Sequence, residues 1–144
     1  MKIKYHRKRF NPLSEIAVGT IVVNSNLSKV FLVTDNRDDH KIELIDIETG
    51  NVLWTDVNVK MYECKKDVLF GNSDGVFTKE IPYYELKTCY GCLLGNYKYN
   101  RSAYIYAIDD KFFDLWSGKQ TPKDEVIVRN VVVVYTEGSL EVTI

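Results

Sequence analysis

The sequence contains few cysteines, histidines and prolines, and it lacks long hydrophobic runs. Its 144 residues include 3 Cys, 2 His and 3 Pro. No apolar run approaches the length of about 18 residues that a membrane-spanning helix needs, and no signal-peptide core follows the basic N-terminus. Three cysteines are too few for a secreted disulfide scaffold. We therefore expect a cytoplasmic protein with no membrane partner.

Charge of one sign is also lacking, because 19 basic and 20 acidic residues give a formal net charge of −1. Apolar residues make up 45% of the chain, which excludes a disordered tail. This composition fits one compact domain, or two very small ones that share a core.

The N-terminus is the one strongly basic segment, since its first nine residues include no acid. One interpretation is a basic arm that recognises phosphate or an acidic protein face. The other is a solvated edge strand whose lysines discourage aggregation. Under the first interpretation the candidate contacts are Lys4, Arg7, Lys8 and Arg9.

Strand patterns dominate the rest of the chain. Residues 17–23 and 30–34 are short β-branched runs, 42–47 end at a turn where Gly50 suits a positive φ, and 57–62 alternate between apolar and polar residues. Later strand candidates are 104–108, 112–116, 126–135 and 140–144. Helix-start signals occur at Asn11-Pro12, Ile81-Pro82 and Thr121-Pro122. We predict a mainly β protein with only short helical turns.

The two halves of the sequence resemble each other. Four pairs of residues recur in the same order, 68 to 73 residues apart: Pro12 and Pro82, Asp46 and Asp114, Gly50 and Gly118, and Tyr62 and Tyr135. Strands at this spacing suit two small barrels, which leave no exposed edge. We predict a basic arm or edge strand over 1–10, a first β unit over 11–70, a joint over 71–80 and a second unit over 81–144. Coincidence among β-rich segments is the alternative to duplication.

The first half also carries a family pattern, VGTIVVNSNLSKVFLVTD followed by KIELIDIETGNVLW. Over about residues 12–62 this pattern resembles small, mostly uncharacterised bacteriophage and mobile-element accessory proteins that have a barrel of the Src-homology-3 type. The resemblance implies such a barrel, a viral or mobile-element origin, and therefore a location in the cytoplasm of a bacterial host cell. It carries over no functional residue and implies no activity.

Catalytic and metal-binding patterns are weak. Cys89 and Cys92 form a Cys-x-x-Cys pair that, with Cys64 and either His6 or His40, has the ligand types of a zinc site or, as a pair, of a redox dithiol. The histidines lack ligand spacing and the flanking pattern is β, so we interpret Cys64 and Cys92 as buried small side chains and leave Cys89 open. The acidic loop DNRDDH lacks the glycine of a calcium loop, and the sequence has no phosphate-binding or nucleophile-elbow motif. We predict no metal, no cofactor and no enzyme activity.

Tyrosine is concentrated in one segment, since seven of the ten tyrosines lie between Tyr83 and Tyr106. Tyr97, Tyr99 and Arg101 fall in a polar, loop-like run of the composition that binding surfaces favour. The tyrosines at 83, 84, 104 and 106 are predicted to pack in the barrel instead.

The sequence therefore predicts a non-enzymatic binding protein of phage or mobile-element origin that inhibits host machinery or defence by binding a host protein. Its predicted contacts are the 97–101 loop and the basic arm. The alternatives are a virion component, a nucleic-acid-binding module and a protein that sequesters a small ligand.

Overall fold

A computed structural model describes residues 2–5, 9–65, 79–80, 90–91, 93–95, 103–127, 132–133 and 141–144. Its strands, in chain order, are β1 (Lys2–Lys4), β2 (Phe10–Pro12), β3 (Ile21–Val23), β4 (Val30–Arg37), β5 (Lys41–Asp46), β6 (Val52–Asp56), β7 (Lys60–Glu63), β8 (Lys79–Glu80), β9 (Leu93–Gly95), β10 (Ala103–Ala107), β11 (Lys111–Asp114), β12 (Gln120–Thr121), β13 (Val132–Val133) and β14 (Glu141–Thr143). The described helical segments are a 3-10 turn at Leu13–Glu15 and α1 at Lys123–Ile127. The prediction of a mainly β protein with short helical turns is confirmed.

Two six-stranded antiparallel sheets have the same strand order. The first runs β2-β7-β3-β4-β5-β6 and the second runs β8-β13-β9-β10-β11-β12. The described pairings leave β2 and β6 as the edges of the first sheet, and β8 and β12 as the edges of the second. Over the described residues, neither sheet closes into a barrel, so the predicted barrel closure is not seen.

The registers of the two sheets also correspond. Leu32 pairs with Ile45 in the first sheet, and Ile105 pairs with Phe113 at the same place in the second. The β4–β5 hairpin is longer than the β10–β11 hairpin, so the offset between corresponding residues falls from 73 before the hairpin (Leu32 and Ile105) to 68 after it (Ile45 and Phe113). The sequence repeat matches Tyr62 with Tyr135, and this match does not fit the registers of the two sheets. Val132 takes the position of Tyr62, and Tyr135 lies outside the described residues.

Apolar residues of both sheets form one shared core. Its buried members are Ile21, Val23, Val30, Leu32, Ile45, Ile47, Ile105, Ala107, Phe113, Leu115, Val142 and Ile144. A second core covers the other face of the first sheet and contains Leu13, Ile16, Val22, Phe31, Val33, Ile42, Leu44 and Met61. The central strands of the first sheet are therefore buried on both faces, which explains their continuous apolar runs.

Some predicted boundaries were wrong. Residues 57–59 form a turn rather than the start of a strand, because the Asp56 carboxylate accepts the Asn58 N–H at 2.8 Å and the Asp56 carbonyl accepts the Val59 N–H at 3.1 Å. Residues 126–127 belong to α1 rather than to a long strand. The chain ends meet where β1 pairs in parallel with β14. Within the described residues, no helix has the length and apolar character to cross a membrane.

The turn between β5 and β6 is built on one carboxylate. Asp46 accepts the backbone N–H groups of Glu48 at 2.8 Å and Thr49 at 3.2 Å. Its carbonyl accepts the Gly50 N–H at 2.8 Å, and Gly50 has a φ of 74°. Such Asp-initiated turns favour glycine where φ is positive.

The second sheet has the same turn between β11 and β12. The Asp114 carboxylate accepts the N–H groups of Trp116 at 2.8 Å and Ser117 at 2.9 Å. Its carbonyl accepts the Gly118 N–H at 2.9 Å, and Gly118 has a φ of 69°. The two turns have the same hydrogen bonds at the same positions.

Each turn is hydrogen-bonded to the opposite sheet. The Gly50 carbonyl accepts the N–H of Ile108 at 2.8 Å, and the Gly118 carbonyl accepts the N–H of Asp35 at 3.1 Å. Ile108 follows β10 and Asp35 lies in β4, and these two positions correspond in the registers of the two sheets. The contact between the sheets is therefore reciprocal, with each sheet contributing the same turn.

Candidate functional site

The structure places only part of the predicted contact surface. Lys4 and Arg9 are exposed, but they belong to different sheets. The Lys4 carbonyl accepts the Ile144 N–H and the Arg9 carbonyl accepts the Glu63 N–H, both at 2.9 Å. The other predicted contacts lie outside the described residues: Arg7, Lys8, Tyr97, Tyr99 and Arg101. For these five the sequence prediction stays a prediction.

Cys64 is half-buried and packs against the shared core. Burial raises the pKa of its thiol to about 12, so at neutral pH the thiol is protonated. Cys89 and Cys92 lie outside the described residues. Among the described residues, no group of three or more His, Cys, Asp and Glu side chains is arranged to hold a metal ion.

We expect Cys64 to react slowly with iodoacetamide in the native protein at pH 7.5, because the thiolate is the reactive form and its population falls as the pKa rises. Labelling followed by peptide mass spectrometry measures Cys64 separately from the other cysteines. The same labelling in guanidinium chloride is the control and is expected to be complete much sooner. Equal rates in the two conditions would contradict the burial of this thiol.

The carboxylates of the two acidic loops make hydrogen bonds or ion pairs with nearby residues. The Asp38 carboxylate accepts the backbone N–H groups of His40 at 2.7 Å and Lys41 at 2.8 Å, and these bonds lower the pKa of Asp38. In the second sheet, Asp110 pairs with Lys123 at 3.2 Å. Asp38 thus stabilises the turn between β4 and β5, and Asp110 links the turn between β10 and β11 to α1.

Tyr106 has a structural role. Its buried ring stacks between Tyr90 and Phe112, with centroids 4.7 and 4.5 Å away. Its hydroxyl donates to the Asp110 carboxylate, and burial, followed by this bond, raises the pKa of Tyr106. Tyr104 is half-buried on the same strand, while Tyr83 and Tyr84 lie outside the described residues.

The edge strand β6 is a candidate site that the sequence analysis missed. Leu53 is 43% exposed and Trp54 is 48% exposed. Asp46 donates its N–H to the Asn51 carbonyl at 2.9 Å, so the antiparallel alternation turns the N–H and C=O groups of Val52 and Trp54 away from β5. Among the residues that the structure describes, nothing pairs with these outward main-chain groups, and large apolar side chains lie beside them.

The two faces of β6 differ in their neighbours. Leu53 pairs with Leu44, which belongs to the second core, so Leu53 extends that apolar face. Trp54 pairs with Glu43 and lies on the face that packs on the other sheet. Glu43 is only 1% exposed, and its carboxylate accepts the Asn36 side-chain N–H at 3.0 Å and the Thr34 hydroxyl at 3.3 Å. An exposed indole therefore lies beside a buried carboxylate.

The signal for this site is faint in the sequence. Residues 52–56 read VLWTD and contain neither proline nor lysine, which are the residues that usually protect an edge strand. That observation becomes informative only when the strand is known to be an edge. No protein family, curated protein or solved structure was found that matches this chain.

Proposed function

We propose that this chain is a non-enzymatic binding protein that acts by occupying a surface of another protein. The observation that carries the proposal is the exposed edge strand β6, with Leu53 and Trp54 about half in water. Tryptophan is among the residue types that dominate the binding energy of protein interfaces. Leu53 and Trp54 expose one large apolar side chain on each face of this edge.

The proposed partner is a host protein, and the proposed role is inhibition of host machinery or defence. This part of the proposal rests on the resemblance of residues 12–62 to phage and mobile-element accessory proteins. The 97–101 loop and the basic arm are proposed as further contacts. Their support is compositional, since tyrosine and arginine give large contact areas at low entropic cost.

We further infer that the two sheets arose by duplication of one unit of the Src-homology-3 type. The shared strand order, the matching registers and the matching Asp46 and Asp114 turns support this inference. The sequence repeat found Asp46 and Asp114, and Gly50 and Gly118, at corresponding positions. Under this inference, differences between the two sheets mark what each unit has gained since duplication.

The proposed function predicts that tagged full-length protein retains a specific host protein from bacterial lysate, with and without nuclease, as read by mass spectrometry. If the 97–101 loop contributes, the variant Tyr97→Ala/Tyr99→Ala/Arg101→Ala binds that protein more weakly by several kcal/mol. Unchanged affinity removes the loop from the interface.

The same experiment separates the alternatives. Loss of every retained protein on nuclease treatment would replace the proposal with nucleic-acid binding, and binding should then fall steeply as salt rises. A bait that retains nothing in either lane would contradict a host partner and favour self-assembly or a small ligand.

A further inference from the structure

In the part of the chain that the structure describes, the four edge strands of the two six-stranded sheets are not equally protected. β2 is three residues long and ends in Pro12, and β8 is two residues long. β12 is two residues long and is followed by Pro122 and α1. Short strands and prolines are the usual means of preventing a sheet from pairing with another chain. Among the described edges, only β6 has five residues and no proline.

The contrast between β6 and β12 is informative because the two strands occupy the same position in matching sheets. The fold therefore does not require a long open edge at this position. Where β12 stops after two residues, β6 continues through Leu53, Trp54 and Thr55 to Asp56. The outward main-chain groups of Val52 and Trp54, two residues apart, match the repeat of an extended polypeptide.

The buried carboxylate of Glu43 favours a partner that brings a positive charge. Within the described part of the chain, the donors that reach its carboxylate are the neutral side chains of Thr34 and Asn36. A buried carboxylate is costly unless a cation compensates it. Trp54, in the next strand and on the same face, offers the ring that binds cations best.

We propose that β6 binds an extended segment of a partner protein as an added strand, and that Trp54 and Glu43 select an arginine or lysine opposite Trp54. The inference rests on the proposed function and specifies the binding mode and the partner's chemistry. An arginine or lysine opposite Trp54 lies over the indole, and its charged end points across β6 toward Glu43 of β5. Side chains next to it in the segment face Leu53 on the opposite face, where apolar or β-branched residues fit.

The test uses two fluorescent peptides, GSTVTRTVTGS and its charge-reversed partner GSTVTETVTGS, with the full-length protein and fluorescence anisotropy. The arginine peptide is expected to bind about tenfold more tightly than the glutamate peptide. Glu43→Gln keeps the acceptor for Asn36 but removes the charge, so it should bring the two affinities together. Trp54→Ala should abolish binding of both peptides, and Trp116→Ala, which shortens another exposed tryptophan, should leave binding unchanged.

Three results would overturn the inference. The first is equal affinity for the two peptides or no binding of either. The second is binding that survives Trp54→Ala in a variant whose melting curve is unchanged. The third is a dimer in sedimentation velocity that Trp54→Ala dissociates, because a second copy would then occupy β6. If lysate capture still retains a host protein in any of these cases, only the binding mode fails. If capture fails as well, the proposed function fails with it.

Discussion

Replacing Gly118 by alanine is expected to destabilise the protein by about 3 kcal/mol or more, which for a chain of this size lowers the melting temperature by about 10 °C. Two effects add. Gly118 has a φ of 69°, a conformation that costs an L-residue free energy. A Cβ at Gly118 would also lie 2.5 Å from the Gly19 nitrogen and 2.5 Å from the Val33 carbonyl oxygen. Both are backbone atoms, one in the turn before β3 and one in β4 of the opposite sheet, so they cannot give way as the end of a flexible side chain can.

The matching glycine provides a second test of the same contact. A Cβ at Gly50 would lie 2.5 Å from the Tyr106 carbonyl oxygen and 2.6 Å from the Gly91 nitrogen. Gly50→Ala should therefore cost about as much as Gly118→Ala. Lys119→Ala is the control, because this neighbouring side chain is exposed. Thermal unfolding followed by circular dichroism measures all three variants, and a Gly118→Ala protein that melts with the control would contradict the contact.

Local signals in the sequence were sufficient for strands and turns. The β-branched run 30–34 lies within β4, and the turn predicted at Gly50 has the positive φ expected there. The prolines at 12 and 122 each precede a short helical segment, as predicted. These features depend on neighbouring residues, so a single sequence contains the information that specifies them.

Long-range features could not be predicted in the same way. The central strands of the first sheet are buried on both faces, so their sequences lack the alternation that would show which face meets which core. Barrel closure was expected because duplication and short strands suggest it, whereas the described pairings leave both six-stranded sheets open. The candidate site was missed for a related reason. The sequence alone does not distinguish Trp54 from a residue of a central strand, because only the pairing order shows that β6 is an edge.

The shared core predicts that Phe113→Ala destabilises both sheets together. Phe113 is fully buried on β11, and its core contains residues of both sheets together with Val142 and Ile144 from the C-terminus. Removing a buried phenylalanine side chain costs about 3–5 kcal/mol, from lost apolar burial and from the cavity left behind. Because the core faces of the two sheets bury each other, the loss should lower the free energy of opening in both.

Native-state hydrogen exchange distinguishes a shared core from two independent ones. In Phe113→Ala, amides of β4, such as Leu32, should lose as much protection as amides of β11, although β4 belongs to the other sheet. Trp54→Ala is the control, since shortening an exposed side chain usually changes stability by less than about 1 kcal/mol. If β4 keeps its protection while β11 loses it, the sheets unfold separately and each is a domain. Equal losses mean that the two matching sheets stabilise each other, because an isolated first sheet would expose the apolar side chains of Ile21, Leu32 and Ile45 to water.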